Sequence, residues 1–201
     1  MDYTNFKELS KNIKKESDRF SFKNENVYDV VKRFQPLLIE EITEVTTCRS
    51  SRKDKVVEAI DVLFYIVSLY NDLNKVVNNG MMTEEKINIK INYYKNYFKI
   101  NYYKDYFDDN VQWTDDQFES HLVNIFFTDI YRQFNERKYH YEGIVEFYDL
   151  PKNEQAERLG SIYNGIFKLY YLTIDWMEVI NKNCLDLDWL TDLKYKIILE
   201  R

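Results

Sequence analysis

The sequence predicts an all-α chain, a helical bundle, on three observations. Glycine and proline are scarce, 4 and 2 of 201 residues, which leaves few of the tight turns that a sheet protein of this length requires. Apolar residues make up 45% of the chain, enough for a real core and too many for disorder. Over long stretches those residues return at helical spacing. A single domain over 1–201 is expected, with helices at 5–18, 26–48, 54–78, 83–107, 115–138, 153–181 and 187–199.

The helix at 26–48 has a sharply divided surface. With Glu40 as zero on a wheel of about 100° per residue, Val31, Phe34, Leu38, Ile42 and Val45 cluster at roughly 120–200°, Glu41 at roughly 100° and Glu44 at roughly 40°. The carboxylates border the core face, and Glu41 and Glu44, three apart, can point at one spot. The helix at 54–78 is apolar on nearly every side and is expected to be buried. Its exceptions, Glu58, Asp61, Tyr65, Ser68 and Asp72, fall in one seam of about 80°. Carboxylates buried there unpaired would cost several kcal/mol each or take up protons, so the seam needs a positive partner.

The short loop between the two helices folds them antiparallel into a hairpin at 25–78, with Glu41 and Glu44 opposite Glu58 and Asp61. Four carboxylates round one point repel. A divalent cation is the simplest compensation, and hard oxygen ligands without His or Cys select Mg²⁺ or Mn²⁺. Arg49, Arg52, Lys53 and Lys55, in or just after the loop, are the alternative source of positive charge.

Asn78-Asn79-Gly80 stops the second helix, and Thr83-Glu84-Glu85 starts the next with a cap and an acidic first turn. Ile91–Lys99 is echoed by Ile100–Asp108, a repeat of Tyr and Lys. Such residues can stack on bases and hold phosphates; a local duplication whose tyrosines pack a helix is the other reading. Lys138 to Pro151 is the expected long connection. The stretch at 115–181 reads as a second, degenerate hairpin: Glu157-Arg158-Leu159-Gly160 lies on Glu58-Ala59-Ile60-Asp61, with Gly160 in place of the acid. It is expected to supply packing and no metal ligands.

A net charge of -6 argues against a nucleic-acid backbone as the main partner. Cys48 and Cys184 have neither disulfide-framework nor zinc spacing, and His121 and His140 stand alone. No signal peptide and no membrane span are expected, which places the chain in the cytoplasm.

The pattern EExxE at Glu40, Glu41 and Glu44, thirteen further residues, then ExxD at Glu58 and Asp61, is set in QPLLIEEITEV and EAIDVLFYIVSL. It resembles the all-α nucleoside triphosphate pyrophosphatases, which include MazG-type enzymes, dCTP pyrophosphatases and dimeric dUTPases. The resemblance covers 34–72, roughly a fifth of the chain; each half-motif is weak alone, and the spaced pair is fairly specific.

The resemblance implies Mg²⁺-dependent hydrolysis of a (deoxy)nucleoside triphosphate, dUTP or dCTP first, to monophosphate and pyrophosphate, by a homodimer. Glu41, Glu44, Glu58 and Asp61 would be the metal ligands, Glu40 a carboxylate that either supports the ligands from behind or activates water, and Tyr65 a neighbour of the base or sugar. The segment GMMTEEKINIKINYYKN is similar to one in phage dCTPases and dimeric dUTPases, which implies Lys95 and Asn96 as phosphate or sugar contacts and points to a viral or phage source. Lys53, Lys55 and Lys95 are candidates to clamp the departing pyrophosphate. The competing class is a non-catalytic acidic helical protein that binds a partner or senses nucleotides.

Overall fold

Helix α3 (Arg52–Val76) is the element that the other helices cover. The computed structural model describes residues 2–17, 26–48, 51–77, 115–135, 138–140, 143–145, 149–181 and 185–200. Around α3 lie α1 (Phe6–Ser17), α2 (Val27–Thr47), α6 (Lys152–Asn181) and α7 (Leu187–Glu200). Helix α4 (Asp115–Ile125) runs into a π-helical turn, Phe126–Tyr131, and the short α5 (Arg132–Asn135). The chain is all-α, as its composition predicts. Within the expected long connection sits one addition, an antiparallel ribbon of β1 (Lys138–His140) and β2 (Gly143–Val145), with Tyr139 opposite Ile144. The helix expected at 83–107 and the tyrosine repeat lie outside the described residues.

Local chemistry sets the helix starts. Asn26 caps α2 in a reciprocal box: its side chain accepts from the Asp29 amide at 3.0 Å, and the Asp29 carboxylate accepts from the Asn26 amide at 3.1 Å. The Ser51 hydroxyl accepts from the Asp54 amide at 3.1 Å, which starts α3 two residues ahead of the expected position.

Among the described residues the buried apolar side chains form one large cluster drawn from every helix but α5, with Leu150 and Leu159 in a small second one. Helix α3 contributes Val56, Ala59, Ile60, Val62, Leu63, Phe64, Ile66, Val67, Leu69, Tyr70 and Leu73, which is the all-round burial its sequence requires. Phe6 of α1 stands edge-on to Tyr70 and Tyr170, with ring centres 4.9 and 4.8 Å apart. Asn71, a polar residue that α3 buries, is satisfied by α1: it accepts from the Ser10 hydroxyl at 2.6 Å and donates to the Ser10 carbonyl at 3.0 Å.

Helix α7 is fixed by residues that also position the site. The Tyr195 hydroxyl donates to the Asn12 carbonyl at 2.9 Å, and its ring packs on Phe64 at 6.4 Å. Helix α6 packs on α3 and on the α4–α5 stretch. At Gly165 it lies tight against the π turn, where a Cβ would lie 2.8 Å from the Asp129 Cβ. No helix among the described residues is long and apolar enough to cross a membrane.

Candidate metal centre

The seam read from the sequence is a physical line on α3. Glu58, Asp61, Tyr65, Ser68 and Asp72 are each half-buried, while every other residue from Ala59 to Asn71 is buried. On α2 the core face is buried, Glu41 is half-buried at its border, and Glu40 and Glu44 are exposed. A connection of four residues, 48–51, turns α2 back along α3, so these two borders meet.

At one end of the seam the acid is neutralised. Arg33 of α2 donates to Asp72 at 3.0 Å, and Lys75 lies 3.2 Å from the same carboxylate. In the middle, Phe34 stands edge-on to Tyr65, ring centres 6.5 Å apart. At the other end Glu41, Glu44 and Glu58 each offer an oxygen within 4.8 Å of the others.

That proximity is costly. Burial and then the charges of Asp61, Glu44, Glu40 and Glu58 push the Glu41 carboxyl up to about 7. Burial also raises Glu58, against the pull of Lys194, and Asp61 and Glu44 add to the rise. An octahedral ion with bonds of about 2.1 Å spaces adjacent oxygens about 3 Å apart. Three carboxylate oxygens within 4.8 Å of one another stand somewhat wider than that, and an all-oxygen donor set suits Mg²⁺ or Mn²⁺.

Asp61 differs from the expectation. It lies close enough to raise Glu41, but its Oδ2 accepts from the Lys194 ammonium of α7. The three glutamates come together, and the fourth expected ligand is held by a cation from 133 residues along the chain. The expected loop cations have other places. Lys55 is paired with Glu119 of α4 at 2.7 Å, both side chains 15% exposed, which ties it to the α3–α4 contact. Lys53 is exposed on the first turn of α3. Arg49, the side chain of Arg52, Lys95 and Asn96 lie outside the described residues.

Beside the cluster is a cleft of about 370 Å³, within the range of small-molecule sites. Glu41, Asp61 and Lys194 form its charged part, and Phe64, Tyr65, Ser68 and Ile197 the rest. Tyr65 stands where the sequence puts it, one turn beyond Asp61 and inside this cleft. Lys194 is the residue that sequence reasoning missed. The demand for a positive partner was legible, and its source in α7 was not. Comparison of the chain with protein-family models, with curated proteins and with solved structures finds no match, so these side chains carry its functional reading.

Proposed function

We propose that the chain is a divalent-cation-dependent nucleoside triphosphate pyrophosphatase acting on a pyrimidine deoxynucleotide, dUTP or dCTP. The supporting observation is the glutamate cluster, in which burial and then the neighbouring carboxylates raise Glu41 to about 7, beside a cleft with an aromatic wall. Water adds to phosphorus at the α–β bridge, the bridging P–O bond breaks, and monophosphate and pyrophosphate leave. Bound by Glu41, Glu44 and Glu58, Mg²⁺ or Mn²⁺ would supply positive charge to the phosphates and acidify the attacking water. Glu40, exposed beside the cluster, or Glu44 takes the water's proton. Tyr65 lies about 6 Å along α3 from Asp61, within reach of the sugar or base, and presents an edge that discriminates by shape and one hydrogen bond. Lys53 remains a candidate to meet pyrophosphate, whereas Lys55 is occupied by Glu119. The resemblance extends the reading to a homodimer in a host cytoplasm, encoded by a virus or phage.

One observation favours the non-catalytic reading: Lys194 already neutralises part of the acidic seam from within the chain. Incubation with each NTP and dNTP plus Mg²⁺, with products resolved, separates the two. Pyrophosphate and a monophosphate, lost on adding EDTA, support the enzyme; orthophosphate or no turnover rules it out. ATP or GTP cleaved as efficiently as dUTP and dCTP would overturn the base assignment and leave the metal chemistry standing.

A further inference from the structure

Lys194 stands in the cleft without a role in that chemistry. Its side chain is 20% exposed, as is that of Asp61, and it is the largest influence opposing the upward shift of Glu58. The next residue, Tyr195, anchors α7 to both α1 and α3, so the backbone delivers this ammonium to the cleft. Among the residues that line the cleft it is the cation.

A lysine in this position can change partners. The ammonium is a compact charge with three donors on a flexible four-carbon stem, so it can leave one carboxylate and reach another anion without its helix moving. Asp61 has a reason to release it. Its carboxylate is near enough to Glu41 and Glu58 to raise both, so a doubly charged ion on those glutamates competes directly with Lys194 for it. The freed ammonium would then face a cleft into which a phosphate chain has to fit.

Resting on the metal-dependent reading, we propose that Lys194 is a transferable counter-cation. It neutralises Asp61 in the metal-free chain, a divalent cation displaces it, and the released ammonium binds a phosphate group in the cleft. The exchange keeps Asp61 neutralised before the metal arrives and adds a phosphate contact only afterwards.

The test uses Mn²⁺ alone, followed by loss of the free-ion paramagnetic resonance signal, with the wild type, Lys194→Met, Asp61→Asn and the double variant. Lys194→Met is expected to tighten Mn²⁺ binding about ten-fold, the scale of one charge-assisted hydrogen bond. In the Asp61→Asn background the same change should alter it less than about two-fold, because the competition runs through Asp61. An equal gain in both backgrounds would make Lys194 a distant charge and overturn the exchange. Inorganic pyrophosphate, titrated at saturating Mn²⁺, should bind about ten-fold more weakly to Lys194→Met; unchanged affinity would overturn the transfer to phosphate. If Lys194→Met does not fold, Lys194→Arg tests the same point with opposite sign. Its forked guanidinium holds Asp61 harder, so Mn²⁺ binding weakens, and that effect too should vanish with Asp61→Asn. Mn²⁺ binding that ignores Lys194 removes this proposal alone, whereas no Mn²⁺ binding in any protein removes the metal site with it.

Discussion

The α2–α3 hairpin and the α4–α6 region pack helices onto one core and treat their acids in opposite ways. In the first, Glu41, Glu44 and Glu58 converge, and Lys194, whose charge acts on Glu58, is bonded to Asp61 instead. In the second, Asp129 is paired with Lys168 at 2.6 Å, Glu119 with Lys55 at 2.7 Å, and Glu157 is exposed. Gly160, opposite Asp61 in the sequence comparison, has open space where a side chain would be. Asp129 and Glu119 each have a cation bonded to them, whereas the three glutamates stay in conflict, an arrangement that favours a positively charged ligand.

The contrast is broken most forcefully by substitution in each half. Glu58→Gln should lower turnover by about a hundred-fold or more, because it removes one of three converging ligand charges, while Glu157→Gln should leave kcat/KM within about two-fold. Steady-state pyrophosphate release measures both. Equal losses would show a working site in the second region.

Ligand-linked stability sharpens the same difference. Mg²⁺ at about a hundred times its Kd adds about 2.7 kcal/mol, which for a chain of this size raises Tm by about 5 °C or more. The rise should persist in Glu157→Gln and vanish in Glu58→Gln. An unchanged Tm in the wild type would mean that Lys194 and its neighbours neutralise the acids sufficiently alone.

In the second region backbone proximity, not charge, is the constraint. Gly165→Ala places a methyl 2.8 Å from the Asp129 Cβ and 2.9 Å from the Ile130 Cγ1, so it should destabilise by about 1–3 kcal/mol in urea melts. Gly160→Ala meets nothing within 4 Å and should stabilise α6 by about 0.5–1 kcal/mol. The reverse order would mean that α6 does not approach the π turn at Gly165.

A separate effect is expected on pH dependence. Glu41 is raised from 4.5 to about 7 in the fold, so between those values the folded chain holds a proton that the unfolded chain has released. Its contribution therefore weakens the metal-free protein as pH rises from about 4.5 to about 7 and is constant above that. Urea midpoints in EDTA at about pH 5 and pH 8 should differ less in Glu41→Gln than in the wild type. Identical differences in both proteins would place the strain elsewhere.

Much of this contrast was legible in the sequence because it depends on helical geometry alone. A seam of period 3.6 on an otherwise apolar helix has to become the half-buried line at Glu58, Asp61, Tyr65, Ser68 and Asp72. Predicted and observed helices agree closely for α1, α2, α6 and α7 for the same reason. What stayed hidden depends on which distant surfaces meet. Lys194 looks like any polar residue of a C-terminal helix until α7 docks beside Phe64, and Lys55 looks like a free loop cation until α4 brings Glu119. The π turn opposite Gly165 is likewise a tertiary fit, invisible in an apolar stretch that reads as continuous helix.

The central claim is that the three glutamates hold one divalent ion, and equilibrium binding of Mn²⁺ to the metal-free protein near pH 8 tests it most directly. The account predicts one saturable site per chain, lost in Glu44→Gln and in Glu58→Gln and kept in Glu157→Gln. No saturable binding, or binding that survives both substitutions in the cluster, would contradict it.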